Sequence, residues 1–123
     1  MTFIGNRIAY FFKPFAEEAK KIIVACFTAD DQTLIMKWGK NATYRELFAA
    51  KSKVVYRRVD RFYKIKNLHA KIYLFDDRMF LSSANLTYGS LFVNYEFAVE
   101  VTAPGEKKQV LDFLDKLRGE REN

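Results

Sequence analysis

His69 and Lys71 are the residues of this chain best suited to chemistry, and His69 is its single histidine. They lie in a short, apolar, β-prone stretch, residues 69–75, HAKIYLF. In a strand alternate side chains share a face, so His69 and Lys71 point one way while Ala70, Ile72 and Leu74 point the other. One face then serves chemistry and the other the core. Asp76, Asp77 and Arg78 follow as a polar turn, and Met79 to Leu81 returns as a second short strand. Ser82, Ser83 and Asn85 then bring small polar groups in a tight segment. A neutral imidazole beside an ammonium, with hydroxyl and amide donors from the next loop, suits a substrate carrying a tetrahedral oxyanion such as phosphate. Imidazole can attack phosphorus or protonate a leaving oxygen, since its unperturbed pKa lies near neutrality. One histidine cannot do both at once.

With those residues in place the stretch resembles the HKD motif of the phospholipase D superfamily, H-x-K-x4-D followed by G-S-x-N. His69, Lys71 and Asp76 match its spacing, Ser83 and Asn85 match its serine and asparagine, and SANLT at 83–87 is a common form of that segment. Glu96, eleven residues after Asn85, stands where family nucleases carry an imidazole-orienting acid. Two departures bear on the turn: Ser82 replaces the glycine, and the interval from Asp76 to that position is one residue shorter than the pattern. The resemblance covers residues 68–101 strongly. It implies a catalytic set of His69, Lys71, Asp76, Ser83, Asn85 and Glu96, with Asp76 structural in the turn more than a proton carrier. It also implies two motifs meeting face to face, one histidine forming a phosphohistidine and the other acting as acid and then base. With one motif per chain, that chemistry requires a two-fold homodimer. No metal or cofactor is expected.

The 123 residues, half of them hydrophobic, fit one domain, 1–123, with a real core. A net charge of +6 and a pI of about 9.4 favour polyanionic partners such as DNA or RNA, or an anionic membrane surface. Cys26 is the only cysteine, which excludes an intrachain disulfide and a cysteine-based metal site and agrees with a reducing compartment. The longest plainly apolar run, Ile22–Phe27, falls far short of the ~20 residues of a membrane-spanning helix. With no cleavable signal pattern, a cytoplasmic location and no membrane anchor are expected.

The elements that would hold the motif read as follows. Residues 3–21 place Ile4, Ile8, Phe11, Phe12, Phe15 and Ala19 at helical intervals, with Pro14 as a kink. No strand is evident before this helix, so an edge strand is missing or comes from the partner. Ile22–Thr28 reads as a central strand buried on both faces. A helix follows from Asp30 and Asp31 through Lys37, broken by Gly39–Asn41. Thr43 and Glu46 form a capping-box pattern for another helix through Ala50. Lys53–Val59 is the next strand and residues 60–67 a loop.

From Lys51 to Lys71 there are eight basic residues against one acid, Asp60, with Tyr56, Phe62 and Tyr63 interleaved. That mixture fits a nucleic-acid track on Lys53, Arg57, Arg58, Arg61, Lys64 and Lys66. It also fits an edge strand protected by charge against aggregation. Tyr88–Val93 reads as a turn or short helix. Residues 94–102 read as a strand with Glu96, Ala98 and Glu100 on one face and Tyr95, Phe97, Val99 and Val101 on the other. Residues 106–118 read as a final amphipathic helix, and Cys26, Trp38 and Met79 as core.

The expected architecture is α/β: a mixed β-sheet flanked by helices on both sides, phospholipase D-like. The expected function is a metal-independent phosphodiesterase, a nuclease acting on DNA or RNA. Two other classes stay open. One is a lipid phosphodiesterase, for which an apolar membrane-facing loop would be expected. The other is a non-catalytic nucleic-acid-binding module whose turn at Ser82 blocks chemistry.

Overall fold

In the computed structural model, which describes residues 1–52 and 59–120, the run Lys21–Ala29 (β2) occupies the middle of a seven-stranded sheet. Ile22 to Cys26 are buried without interruption, as a strand covered on both faces requires. The other strands are β1 (Thr2–Gly5), β3 (Tyr44–Ser52), β4 (Arg61–Lys64), β5 (Ile72–Phe75), β6 (Arg78–Ser82) and β7 (Glu96–Val101), in the order β1-β7-β6-β5-β2-β3-β4. β2, β3 and β4 run parallel, and every other neighbouring pair is antiparallel. One face packs against helix α1 (Ile8–Glu18) and two short π-type helices, Thr33–Trp38 and Gly89–Val93. The other packs against the final helix α2 (Pro104–Glu120) through Leu114 and Leu117. The mixed sheet with helices on both faces is as expected.

Several local readings give way. The helix expected over 3–21 begins only at Ile8, because Arg7 adopts a left-handed φ of 58° and residues 2–5 form β1, paired with β7. The missing edge strand is therefore supplied by the chain itself. Pro14 sits inside α1 without ending it. The capping-box helix is instead β3: Thr43 Oγ1 donates to the Lys20 carbonyl, and Glu46 turns inward at 2% exposure. Helix propensity differs among these residues by only a few tenths of a kcal/mol each, whereas fully burying Leu47 and Phe48 against β2 contributes about 1.5–3 kcal/mol apiece. Residues 61–64, expected as loop, form the edge strand β4. The strand expected over 53–59 lies, but for Val59, outside the described residues.

The β6–β7 corner is locked by Arg78, whose Nε donates to Glu100 Oε2 at 2.5 Å. That bond, more than the charge itself, holds the Glu100 carboxyl below its usual range. The Arg78 guanidinium also lies 4.6 Å from the Phe15 ring centroid, tying the corner to α1. Cys26 is a core residue whose thiol is pushed up to about 12 by burial, and it is inert at neutral pH. Among the described residues no helix is long and apolar enough to cross a membrane.

Candidate active site

Three segments meet at one end of the sheet: the lead-in to β5, the loop after β6 and the C-terminal end of β2. His69 is exposed there. Lys71 Nζ lies 3.1 Å from His69 Nδ1 and donates to the His69 carbonyl at 2.9 Å, so the two functional groups do share a side. An ammonium has no lone pair, so Nδ1 is the acceptor and the imidazole proton sits on Nε2 in this state. The Phe27 ring packs beside the imidazole with centroids 5.2 Å apart, and Lys51 Nζ stands 5.3 Å from the Phe27 ring on its own side. Phe27 and Lys51 belong to the site although spacing did not nominate them. Phe27 read only as the end of an apolar strand, and Lys51 only as one charge in a basic run.

Asn85 joins this group from the next loop. Its Oδ1 accepts from the backbone amides of Phe27 and Thr28 at 3.0 and 3.3 Å, which seats the loop on the end of β2. With that oxygen committed, Asn85 has its amide hydrogens to offer an anion. Ser83 Oγ donates to Glu96 Oε1 at 2.5 Å and accepts from the Phe97 amide at 2.9 Å. Glu96 thus meets Ser83 in this chain, while Lys71 holds the Nδ1 edge of His69.

Ser82, which replaces the glycine, points away from the opening. Its hydroxyl donates to the Phe97 carbonyl at 2.6 Å and accepts from the Ala84 amide at 3.0 Å. The backbone at Ser82 stays at negative φ, so this shorter turn does not need glycine. The hydroxyl fixes the turn that presents Ser83 and Asn85.

Asp76 stands apart from the other five, at the far end of β5. Six residues separate it from His69, the last four of them the strand β5, a span of roughly 20 Å. Its Oδ1 accepts from the Lys20 and Lys21 amides at 3.0 and 2.9 Å while its own backbone holds a left-handed φ of 55°. Replacing Asp76 with alanine loses both acceptor bonds in a conformation alanine disfavours. A stability loss of about 2 kcal/mol is expected, and a much smaller one for Asp76→Asn, which keeps the Oδ1 acceptor, measured by urea denaturation. A fall in activity at unchanged stability would place Asp76 in the chemistry instead.

The basic track is only partly described, since Lys53, Arg57 and Arg58 lie outside the described residues. Arg61 and Lys64 project from the edge strand β4, and Lys66 is exposed just beyond it. Phe62 is exposed and lines a surface hollow of about 280 Å³ with Lys51, Ser52 and Lys64. Tyr63 corrects the expected base-stacking set: it is 7% exposed and stacked on Phe48 at 4.7 Å, because alternate residues of β4 face α2. Among the described residues no three His, Cys, Asp or Glu side chains are grouped as metal ligands.

Residues 16–118 match the family model described as Cardiolipin synthase, PLD-like domain. Solved structures share the fold across nearly the whole chain. NucT from Helicobacter pylori superposes with a TM-score of 0.77 at 13% identity, covering 98% of this chain and 96% of its own. Nuc from Salmonella typhimurium, a phospholipase D family member, gives 0.69 at 16% identity, with 99% and 96% covered. Yeast tyrosyl-DNA phosphodiesterase gives 0.62 at 12% identity, with 96% of this chain against 38% of that one. No curated protein sequence matches the chain.

Proposed function

The chain belongs to the phospholipase D-like family, and we propose that it is a metal-independent phosphodiesterase that cleaves DNA or RNA through a phosphohistidine on His69. The observation that carries this reading is the pairing of the single imidazole with Lys71 at an exposed sheet end, beside the amide of Asn85. A bound phosphate would compete for the Lys71 ammonium and so release Nδ1. Nδ1 then takes the proton, and Nε2 gains the lone pair that attacks phosphorus.

As the Nε2–P bond forms, the P–O bond to the leaving nucleoside breaks, and that oxygen takes a proton from a second imidazolium. Water then attacks phosphorus, gives its proton to the second imidazole and frees His69. Lys71 and Asn85 from both copies hold the non-bridging oxygens, and Ser83 joins them when its hydroxyl leaves Glu96. The second imidazole must come from another copy, since each chain has one histidine.

Nucleic acid is favoured as substrate by the net charge of +6, by Lys51 at the Phe27 ring beside the site, and by Lys64, Arg61 and Lys66 on and after the edge strand β4. The name of the yeast enzyme, a phosphodiesterase acting on tyrosyl-DNA, fits the same class. Incubating single-stranded and duplex DNA and RNA with the chain in EDTA is the test. Cleavage is expected to persist in EDTA, and its preference among the four substrates identifies the natural one. Activity that appears only on adding a divalent metal would overturn the mechanism.

A further inference from the structure

One aromatic ring of the edge strand β4 lies outside both layers of core. Side chains of β4 alternate between the two faces of the sheet: Tyr63 turns towards α2 and is buried on Phe48, so Phe62 and Lys64 turn to the opposite face. On that face α1 and the two short helices cover β2 and β3 as far as Ala49, and the core they form holds, among the described residues, no residue of β4. Phe62 is therefore left 41% exposed. A single exposed ring means little on its own, but this one has a setting. With Ala50, Lys51, Ser52 and Lys64 it lines a hollow of about 280 Å³. That is smaller than the roughly 300–1,000 Å³ of a pocket for a drug-sized ligand, and it suits one planar ring system. Lys51 also reaches the site: its Nζ lies 5.3 Å from the centroid of the Phe27 ring, which packs beside the His69 imidazole at 5.2 Å. The hollow thus opens a side chain's length from the reacting group.

We propose that this hollow is a subsite for one unpaired base, stacked on Phe62 with its adjoining phosphate held by Lys51 and Lys64, so that the strand cut at His69 is single-stranded; the proposal rests on nucleic acid being the substrate, as proposed above. Three observations select that ligand. First, the hollow pairs a flat apolar ring with two ammonium groups, and among the described residues no acid lines it. A nucleotide presents the matching pair, a π-face and an anion. Second, edge protection accounts for the lysines alone. Charge on an edge strand deters aggregation, whereas an exposed phenylalanine there invites it, so that reading leaves Phe62 unexplained. Third, the ring can meet only the face of a base. In a duplex those faces are covered by neighbouring pairs and only the edges show in the grooves, so a base on Phe62 must be out of the stack.

The test reads binding apart from cleavage. The full chain carrying His69→Ala, so that strands stay intact, is compared with the same chain bearing in addition Phe62→Ala, Phe62→Leu, Phe62→Trp or Lys64→Gln, with circular dichroism to check folding. The probes are a fluorescent oligothymidylate, an abasic strand of equal length and a duplex of equal length, followed by anisotropy in EDTA. Affinity for oligothymidylate is expected to fall about 10-fold with Phe62→Ala and with Phe62→Leu, and to be kept with Phe62→Trp. The abasic strand should bind equally to all three, with the salt dependence unchanged, because the phosphate contacts remain. The duplex should bind more weakly than oligothymidylate and ignore Phe62. Lys64→Gln is expected to weaken both single strands alike and to lower the salt slope by about one.

An equal loss on the abasic strand would mean that Phe62 shapes the surface without meeting a base, and full affinity with leucine would mean apolar contact without stacking. Either result overturns the subsite, as does an affinity for oligothymidylate that Phe62→Ala leaves unchanged, or no binding of any probe. A duplex bound as tightly as the single strand overturns the single-strand assignment. The two proposals fail separately. Base-dependent binding that is lost with Phe62→Ala, in a chain that cuts no nucleic acid in EDTA when its histidine is intact, supports the subsite and sinks the phosphodiesterase reading. EDTA-resistant cleavage together with binding that ignores Phe62 does the reverse.

Discussion

Replacing His69 with alanine is expected to lower phosphodiester cleavage by about 10⁴-fold or more while leaving fold and nucleic-acid affinity almost unchanged. The size of the effect comes from symmetry. In a two-fold dimer one substitution removes the attacking imidazole and the proton-donating imidazole together, so neither half of the double displacement survives. The effect on folding is small because His69 is exposed, precedes β5 and makes its contacts with Lys71 and Phe27 at the surface. Affinity should be retained because Lys51, Lys71 and the β4 cations still meet the phosphates.

Mixing provides a second reading of the same substitution. A heterodimer of one wild-type chain and one His69→Ala chain still lacks one of the two imidazoles, so excess variant should poison wild-type activity in proportion to the heterodimer formed. If wild-type activity is only diluted, each chain works alone.

The largest expected loss of stability is at Arg118. Its guanidinium reaches from α2 to Glu46 on β3, with Nη2 2.5 Å from Oε1, and it also meets Asp115. Glu46 is 2% exposed and accepts a further bond from the Tyr44 hydroxyl at 2.9 Å. That bond, second to desolvation, contributes to raising the Tyr44 phenol to about 12. Arg118→Met would leave a buried carboxylate held, among the described residues, by the Tyr44 hydroxyl in place of a guanidinium. Breaking a buried pair by deleting one partner costs about 3–5 kcal/mol, and the lower figure applies here because Arg118 is itself 29% exposed.

A loss of about 3 kcal/mol is therefore expected in urea denaturation, with the midpoint moved and the slope kept. The combined change Glu46→Leu with Arg118→Met should recover most of it, because no buried charge is then left alone. A loss below about 0.5 kcal/mol for Arg118→Met would mean that the pair is solvent-screened and contributes little.

The candidate site residues were legible as a group because they are close in sequence and chemically distinct. His69, Lys71, Ser83, Asn85 and Glu96 all fall within 28 positions, and their identities and intervals carry the family pattern. The interior strand β2 was legible because five successive buried apolar residues admit few other readings. β1 and β4 were not, since each is four residues long with mixed polarity, and each is a strand only because a longer neighbour offers it an edge. β3 was misread because Thr43 and Glu46 carry a true local helix signal that distant partners, Lys20 and Arg118, redirect.

Intervals within a motif say which residues assemble but not which side chains meet. Glu96 pairs with Ser83 in this chain, and Phe27 enters the site across the strand pairing of β2 with β5. Both contacts depend on register rather than on sequence distance.

The central claim is that His69 carries the phosphoryl group during cleavage. It is tested most directly by quenching the wild-type reaction in EDTA with denaturant at alkaline pH, where phosphohistidine survives, and measuring the mass of the peptide that holds residue 69. The account expects that peptide to gain, on an imidazole nitrogen and during turnover only, the phosphate together with the strand fragment still esterified to it, and expects no such gain in His69→Ala. Rapid cleavage with no adduct on His69 at any time would contradict it.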